Sequence, residues 1–130
     1  MAGLVLDASA LIALYNDKDI HHKWARDLMF QTTGDKLHMS ALSLAEVAVL
    51  PIRLGIEKNL YEGIQGLKIT VNSLSENSGR ELARIRAMVN IPMPDCCAIQ
   101  LVLEKDAALA TCDKAQAKAA QSLGIEVFQP

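Results

Sequence analysis

Leu4-Val5-Leu6-Asp7-Ala8-Ser9-Ala10-Leu11 is the stretch on which the architecture turns. Three apolar residues in a row, with no polar alternation, suit a strand covered on both faces, as in parallel sheets flanked by helices. Asp7 breaks the run and helix-favouring residues follow. The reading is a strand over 3–6 passing directly into a helix over 8–15, with Asp7 at the junction. A carboxylate there sits at the carboxyl end of a strand, where open α/β sheets bind their ligands.

The same unit recurs late in the chain. Residues 107–111 read as a strand, Asp113 follows, and an Ala-rich helix runs over 115–123 to Gly124. Between the two units the periodicity predicts a helix over 20–31, with Trp24, Leu28 and Gln31 at spacings of four and three, ending at Gly34. A strand is expected over 36–39 and a helix over 42–54, in which Pro51 marks a kink or early end and Gly55 the stop. A weaker helix over 58–65, a strand over 68–71 and a helix over 75–89 follow, the last with Leu82, Ile85 and Val89 on one face. Pro92 and Pro94 mark a turn before an apolar helix over 97–105, and 125–128 supplies a final strand. Strand and helix alternate without repeat or linker, which predicts one α/β domain over 1–130 with a mainly parallel sheet of about five strands.

Composition narrows the function classes. A chain of 130 residues that is 51% hydrophobic and 22% charged is too apolar for a disordered segment and the right size for one core. It has no run of about 20 apolar residues and no basic leader before a small-residue cleavage site, so a cytoplasmic protein off the membrane is expected. Three cysteines are an odd number, and Cys96 and Cys97 are neighbours, which argues against a disulfide framework. With no C-x-x-C pair for zinc, Cys96, Cys97 and Cys112 read as small core residues.

Four acids hold the chemistry. Asp7 and Asp113 follow strands, Asp95 begins a helix, and Glu46 lies in the first turns of another, so the four can converge if those elements open at one sheet edge. Each also has an ordinary reading. Asp7 and Asp113 can be helix N-caps, Asp95 can favour a helix dipole, and Ser43-Leu44-Ala45-Glu46 matches a capping box. Together they would be unstable without cations, since two charges about 4 Å apart repel by about 4 kcal/mol at an effective dielectric of about 20. Oxygen ligands without Cys or His select Mg2+ or Mn2+ over zinc. Such ions can activate a water and stabilise the leaving oxygen of a phosphodiester.

Four short motifs in order carry a family resemblance: residues 4–11 quoted above, Leu44-Ala45-Glu46-Val47, Met93-Pro94-Asp95-Cys96-Cys97-Ala98, and Leu109-Ala110-Thr111-Cys112-Asp113. Over nearly its whole length the chain resembles the PIN domains, especially the short toxins of the VapC type. The resemblance places Asp7, Glu46, Asp95 and Asp113 on the family's four acidic positions, as metal-holding catalytic residues. Ser9 and Thr111 fall on its hydroxyl positions, which support the carboxylates or a metal-held water. It implies a Mg2+- or Mn2+-dependent endoribonuclease leaving a 5′-phosphate and a 3′-hydroxyl, a VapB-like antitoxin as partner, and a homodimer whose helices offer an apolar groove. Cys96-Cys97 departs from the small or apolar residues usual there, a difference of packing rather than chemistry.

A net charge of −2 does not oppose an RNA substrate, because setting four of the 15 acids aside for metal leaves 11 against 13 basic residues. His21 and His22 are consecutive and cannot act as an i, i+4 ligand pair, although His22 matches a histidine that is structural in the family. His38 has no visible partner, Trp24 reads as core, and Arg80, Glu81 and Arg84 read as a solvated face. Lys114 and Lys118 stand near enough to Asp113 to touch a substrate phosphate. The alternatives are a PIN-domain RNA-processing nuclease that is no toxin, a catalytically silent binding module, and a phosphotransfer domain with Asp7 as nucleophile. The last lacks its second aspartate, because Ser9 stands in that place.

Overall fold

The chain is described over residues 3–130 by a computed structural model. Its elements run β1 (Leu4–Leu6), α1 (Ala8–Tyr15), α2 (His22–Gln31), β2 (Leu37–Ser40), α3 (Ala41–Arg53), α4 (Glu57–Gly66), β3 (Ile69–Asn72), α5 (Ser78–Met88), α6 (Met93–Lys105), β4 (Ala108–Ala110), α7 (Lys114–Ser122) and β5 (Val127–Phe128). The strands form one sheet in the order β3-β2-β1-β4-β5, and every pairing is parallel.

Burial follows from that topology. β1 and β4 are central and wholly buried, which is why their sequences carry no polar alternation. Leu4, Leu6, Ala108 and Ala110 face one layer, with Leu11 of α1, Leu28 of α2, Val47 of α3 and Leu60 of α4. Val5 and Leu109 point the other way, onto Leu82 and Ile85 of α5, Ile99 and Val102 of α6, and Ala120 of α7. The strand order reverses between β1 and β4. Chain connections therefore diverge there, opening the crevice in which doubly wound sheets bind ligands.

Several boundaries differ from the sequence reading, and three of the differences have a local cause. The helix expected from 75 starts at Ser78, because the Ser75 N–H donates to Ser78 Oγ at 2.8 Å and holds a local turn. α6 starts at Met93 rather than 97. Pro92 is its N-cap and Pro94 lies in its first turn, where a missing N–H costs nothing, so the prolines begin the helix instead of preceding it. The cap of α3 is Ser40, whose Oγ accepts the Ser43 N–H at 3.1 Å; Ser43 is inside the helix, and the Ser43–Glu46 capping box does not form. Pro51 is accommodated inside α3, near its end, and Gly55 follows with φ 72°, a left-handed conformation suited to glycine.

Candidate metal centre

Asp7 is the buried anchor of the site, only 4% exposed, and it caps α1. Its Oδ1 accepts the Ala10 N–H at 2.9 Å and the Ser9 hydroxyl at 2.6 Å, while Oδ2 accepts the Thr111 hydroxyl. Both hydroxyls are themselves fixed by the other half of the sheet: the Cys112 N–H donates to Ser9 Oγ at 2.9 Å, and the Asp113 N–H to Thr111 Oγ1 at 3.0 Å. Ser9 and Thr111 thus stitch the end of β1 to the end of β4. Burial pushes the Asp7 carboxyl above its ordinary range; the Ser9, Thr111 and Ala10 bonds oppose the rise, and nearby Asp113 adds to it.

Asp113 caps α7, its Oδ1 accepting the Ala115 and Gln116 N–H groups at 2.9 and 3.1 Å. Asp95 is in the first turn of α6 and half-buried, and Glu46 is exposed, one turn into α3. Asp95 is pushed up to about 6 by burial and then by Asp113, Asp7 and Glu46. Glu46, exposed as a residue, is raised by the partial desolvation of its carboxyl and by Asp7. Asp95 therefore feels all three of the other acids, Asp7 feels Asp113 and Glu46 feels Asp7, which places the set together on the carboxyl edge of the sheet. The cap readings of Asp7 and Asp113 also hold, since each carboxylate accepts from main-chain N–H at the start of its helix.

The donor set suits a hard divalent cation. It is all carboxylate, and the ion pairs among the described residues, Lys58 with Glu62 and Arg84 with Glu81, leave the four acids without a basic partner. Cys112 beside them is pushed by burial up to about 11, so its thiol stays protonated and is a poor ligand. Among the described residues no three His, Cys, Asp or Glu side chains surround a single point, so the four carboxylates stand as an open set rather than a formed cage.

The sequence pattern of the PIN domain matches residues 4–122. The chain belongs to the PIN domain family. No curated protein matches it in a sequence comparison. Among solved structures it is similar to VapC20 of Mycobacterium tuberculosis, a toxin cleaving the sarcin–ricin loop, with TM-score 0.78, 15% identity and coverage of 98% of this chain and 100% of that one. It is also similar to DNA-bound VapBC of Salmonella typhimurium, with TM-score 0.72, 15% identity and coverage of 99% and 98%. VapBC2 of Rickettsia felis, bound to a promoter fragment, gives TM-score 0.73, 11% identity and coverage of 98% of each chain. At these identities the likeness is one of fold.

The remaining polar residues fall into place as structure. His22 Nδ1 lies 2.8 Å from the Ala13 carbonyl and ties α2 to α1. His38, unpartnered in the sequence reading, is buried with its Nδ1 3.3 Å from Asn72 Nδ2 across the β2–β3 pair. Trp24 packs on the core, Arg84 pairs with Glu81 at the surface, and Lys114 and Lys118 are exposed beside the site. Gln116 went unremarked in the sequence. Its signal is a lone long polar side chain in phase with Ala119 and Ala120 on the buried face of an Ala-rich helix.

The Ser9–Asp7–Thr111 arrangement gives a stability prediction. Thr111→Val keeps the shape but leaves buried Asp7 one donor short and the Asp113 N–H unpaired, for a loss of about 1–3 kcal/mol. Thr111→Ser retains the hydroxyl and should lose little of that. Thermal melts of the two variants decide it, and equal melting temperatures would show that the hydroxyl is dispensable.

Proposed function

We propose that this chain is a Mg2+- or Mn2+-dependent endoribonuclease, the toxin of a VapBC-type pair, with Asp7, Glu46, Asp95 and Asp113 holding the cation. The observation that carries the reading is the placement of Asp7, Glu46, Asp95 and Asp113 at the switch point of a PIN-domain sheet, where Asp95 is raised by the other three acids, Asp7 by Asp113 and Glu46 by Asp7, without a basic partner among the described residues. Held by these four carboxylates, the ion would supply the Lewis acidity to activate water against a phosphodiester and to stabilise the departing oxygen. The protein's own part is positioning. Asp7 is locked by Ser9, Thr111 and the α1 N-terminus, Asp113 is fixed by its cap bonds, and Asp95 and Glu46 close the set from α6 and α3. Exposed Lys114 and Lys118 stand where a substrate phosphate can be met.

An antitoxin partner is supported by the similarity to VapBC assemblies and by a groove of about 320 Å³. Ile12 and Tyr15 of α1, Val47 and Leu50 of α3, and Leu60 of α4 line it, and it begins beside Glu46. An amphipathic helix laid there would cover apolar surface and the mouth of the acidic site together. Exposed Ile12 of α1 and Val49, Leu50 and Ile52 of α3 offer apolar surface to the expected homodimer, and no helix is long and apolar enough to cross a membrane among the described residues.

Purified protein is expected to cleave single-stranded or loop RNA in Mg2+ or Mn2+, leaving 5′-phosphate and 3′-hydroxyl ends, and to stop when the metal is chelated. Sequencing the product ends with and without chelator tests this. Cleavage undiminished in excess chelator, or 2′,3′-cyclic ends, would contradict a metal-activated water.

A further inference from the structure

Gln116 is an expensive residue for its position. α7 presents Gln116, Ala117, Ala119 and Ala120 to the core, and Gln116 is completely buried. Its Nε2 donates to the main-chain carbonyl of Asp95 at 3.1 Å, but its Oε1 is buried with no partner. An unpaired buried acceptor keeps its full desolvation penalty, and a Met or Leu of similar volume would fill the space without that cost. Stability does not account for an amide here.

Geometry does. The Gln116 main-chain N–H donates to Asp113 Oδ1 while its side chain holds Asp95, so a single residue is bonded to two of the four acids. These two acids enter the site on different helices, α6 and α7, and no direct bond joins them among the described residues. We propose that Gln116 is a positioning residue that sets the spacing of Asp95 and Asp113 for the cation. It draws the first turn of α6 against the first turn of α7, fixing where the Asp95 carboxylate projects. Among the described residues no other side-chain hydrogen bond joins α6 to α7.

The inference rests on the four acids being a cation site, and its test separates the two. Mn2+ binding to the intact chain, Gln116→Met and Gln116→Leu is measured by calorimetry, alongside melting temperatures in chelator. Both variants are expected to melt at or above the intact chain without metal, and to bind Mn2+ roughly 10- to 100-fold more weakly, the loss typical of removing a group that orients a ligand. RNA cleavage should recover when Mn2+ is raised to saturation. Unchanged Mn2+ affinity in either variant overturns the proposal. Unfolding or marked destabilisation of both also overturns it, by showing the amide to be a core-building group. If the intact chain itself binds no Mn2+, the cation site falls first and the clamp with it.

Discussion

Asp95→Asn is expected to abolish RNA cleavage and yet to raise the melting temperature of metal-free protein at neutral pH. The first effect follows because a neutral amide is a poorer ligand that leaves a cation short of charge compensation. The second follows from the Asp95 carboxyl, raised from 3.8 to about 6 by burial and by Asp113, Asp7 and Glu46. A group whose pKa is higher in the folded state favours folding below its unfolded value and loses that contribution as pH rises through its folded value. The contribution of Asp95 is therefore complete below about pH 4 and lost by about pH 7, and wild type then carries the cost of a half-buried charge, and of its repulsion by the other acids, that the amide relieves. Allowing for the solvent screening of a half-buried group, the gain is about 1 kcal/mol, or roughly 3–6 °C. His38, whose pKa is lowered by burial and then by Lys105 and Lys36, acts in the opposite sense, losing its contribution as pH falls, but it is common to both proteins and cancels in the difference. Mg2+ at about 100 times its Kd should stabilise wild type by about 2.7 kcal/mol and reverse the order. Melts in chelator and in Mg2+ between pH 4 and 8 check this. An Asp95→Asn protein that is less stable in chelator and gains equally from Mg2+ would return Asp95 to the role of an acid favouring the α6 dipole.

Growth is the second large effect. Producing the chain alone in a bacterial host is expected to stop colony formation, and producing it with a small neighbouring antitoxin should restore it. The same chain with Asp7→Asn and Asp95→Asn together should be harmless. Plating cells after induction, with immunoblots to show equal protein, measures this. Normal growth with folded, metal-replete wild type would favour an RNA-processing enzyme over a toxin.

Much of this was legible in the sequence because each signal was local. The unbroken apolar runs of β1 and β4 specify burial on both faces, and each is followed after a short junction by Asp7 or Asp113, so two acids could be placed at the carboxyl edge before any contact was known. What was illegible depended on contacts between distant segments. Ser40 rather than Ser43 caps α3 because the helix begins directly at the end of β2, a junction set by pairing with β1 and β3. The prolines before Asp95 fit a turn or a first helical turn equally well, and packing of α6 on β1 and α5 selects the latter. Ser9 and Thr111 were expected as supports, but their joint hold on Asp7 spans about 100 residues of chain and needed the fold to be seen. The Gln116 clamp is of the same kind, 21 residues from its partner.

Equilibrium Mn2+ binding to wild type and to four single variants, Asp7→Asn, Glu46→Gln, Asp95→Asn and Asp113→Asn, bears most directly on the claim that these acids form one cation site. Asp35→Asn, a change at an exposed turn residue, serves as the control. Each of the four is expected to weaken Mn2+ by about tenfold or more, a difference of about 1.4 kcal/mol, while the control binds as wild type does. Retention of wild-type affinity by a folded variant at any of the four positions would remove that acid from the site, and retention at all four would contradict the account.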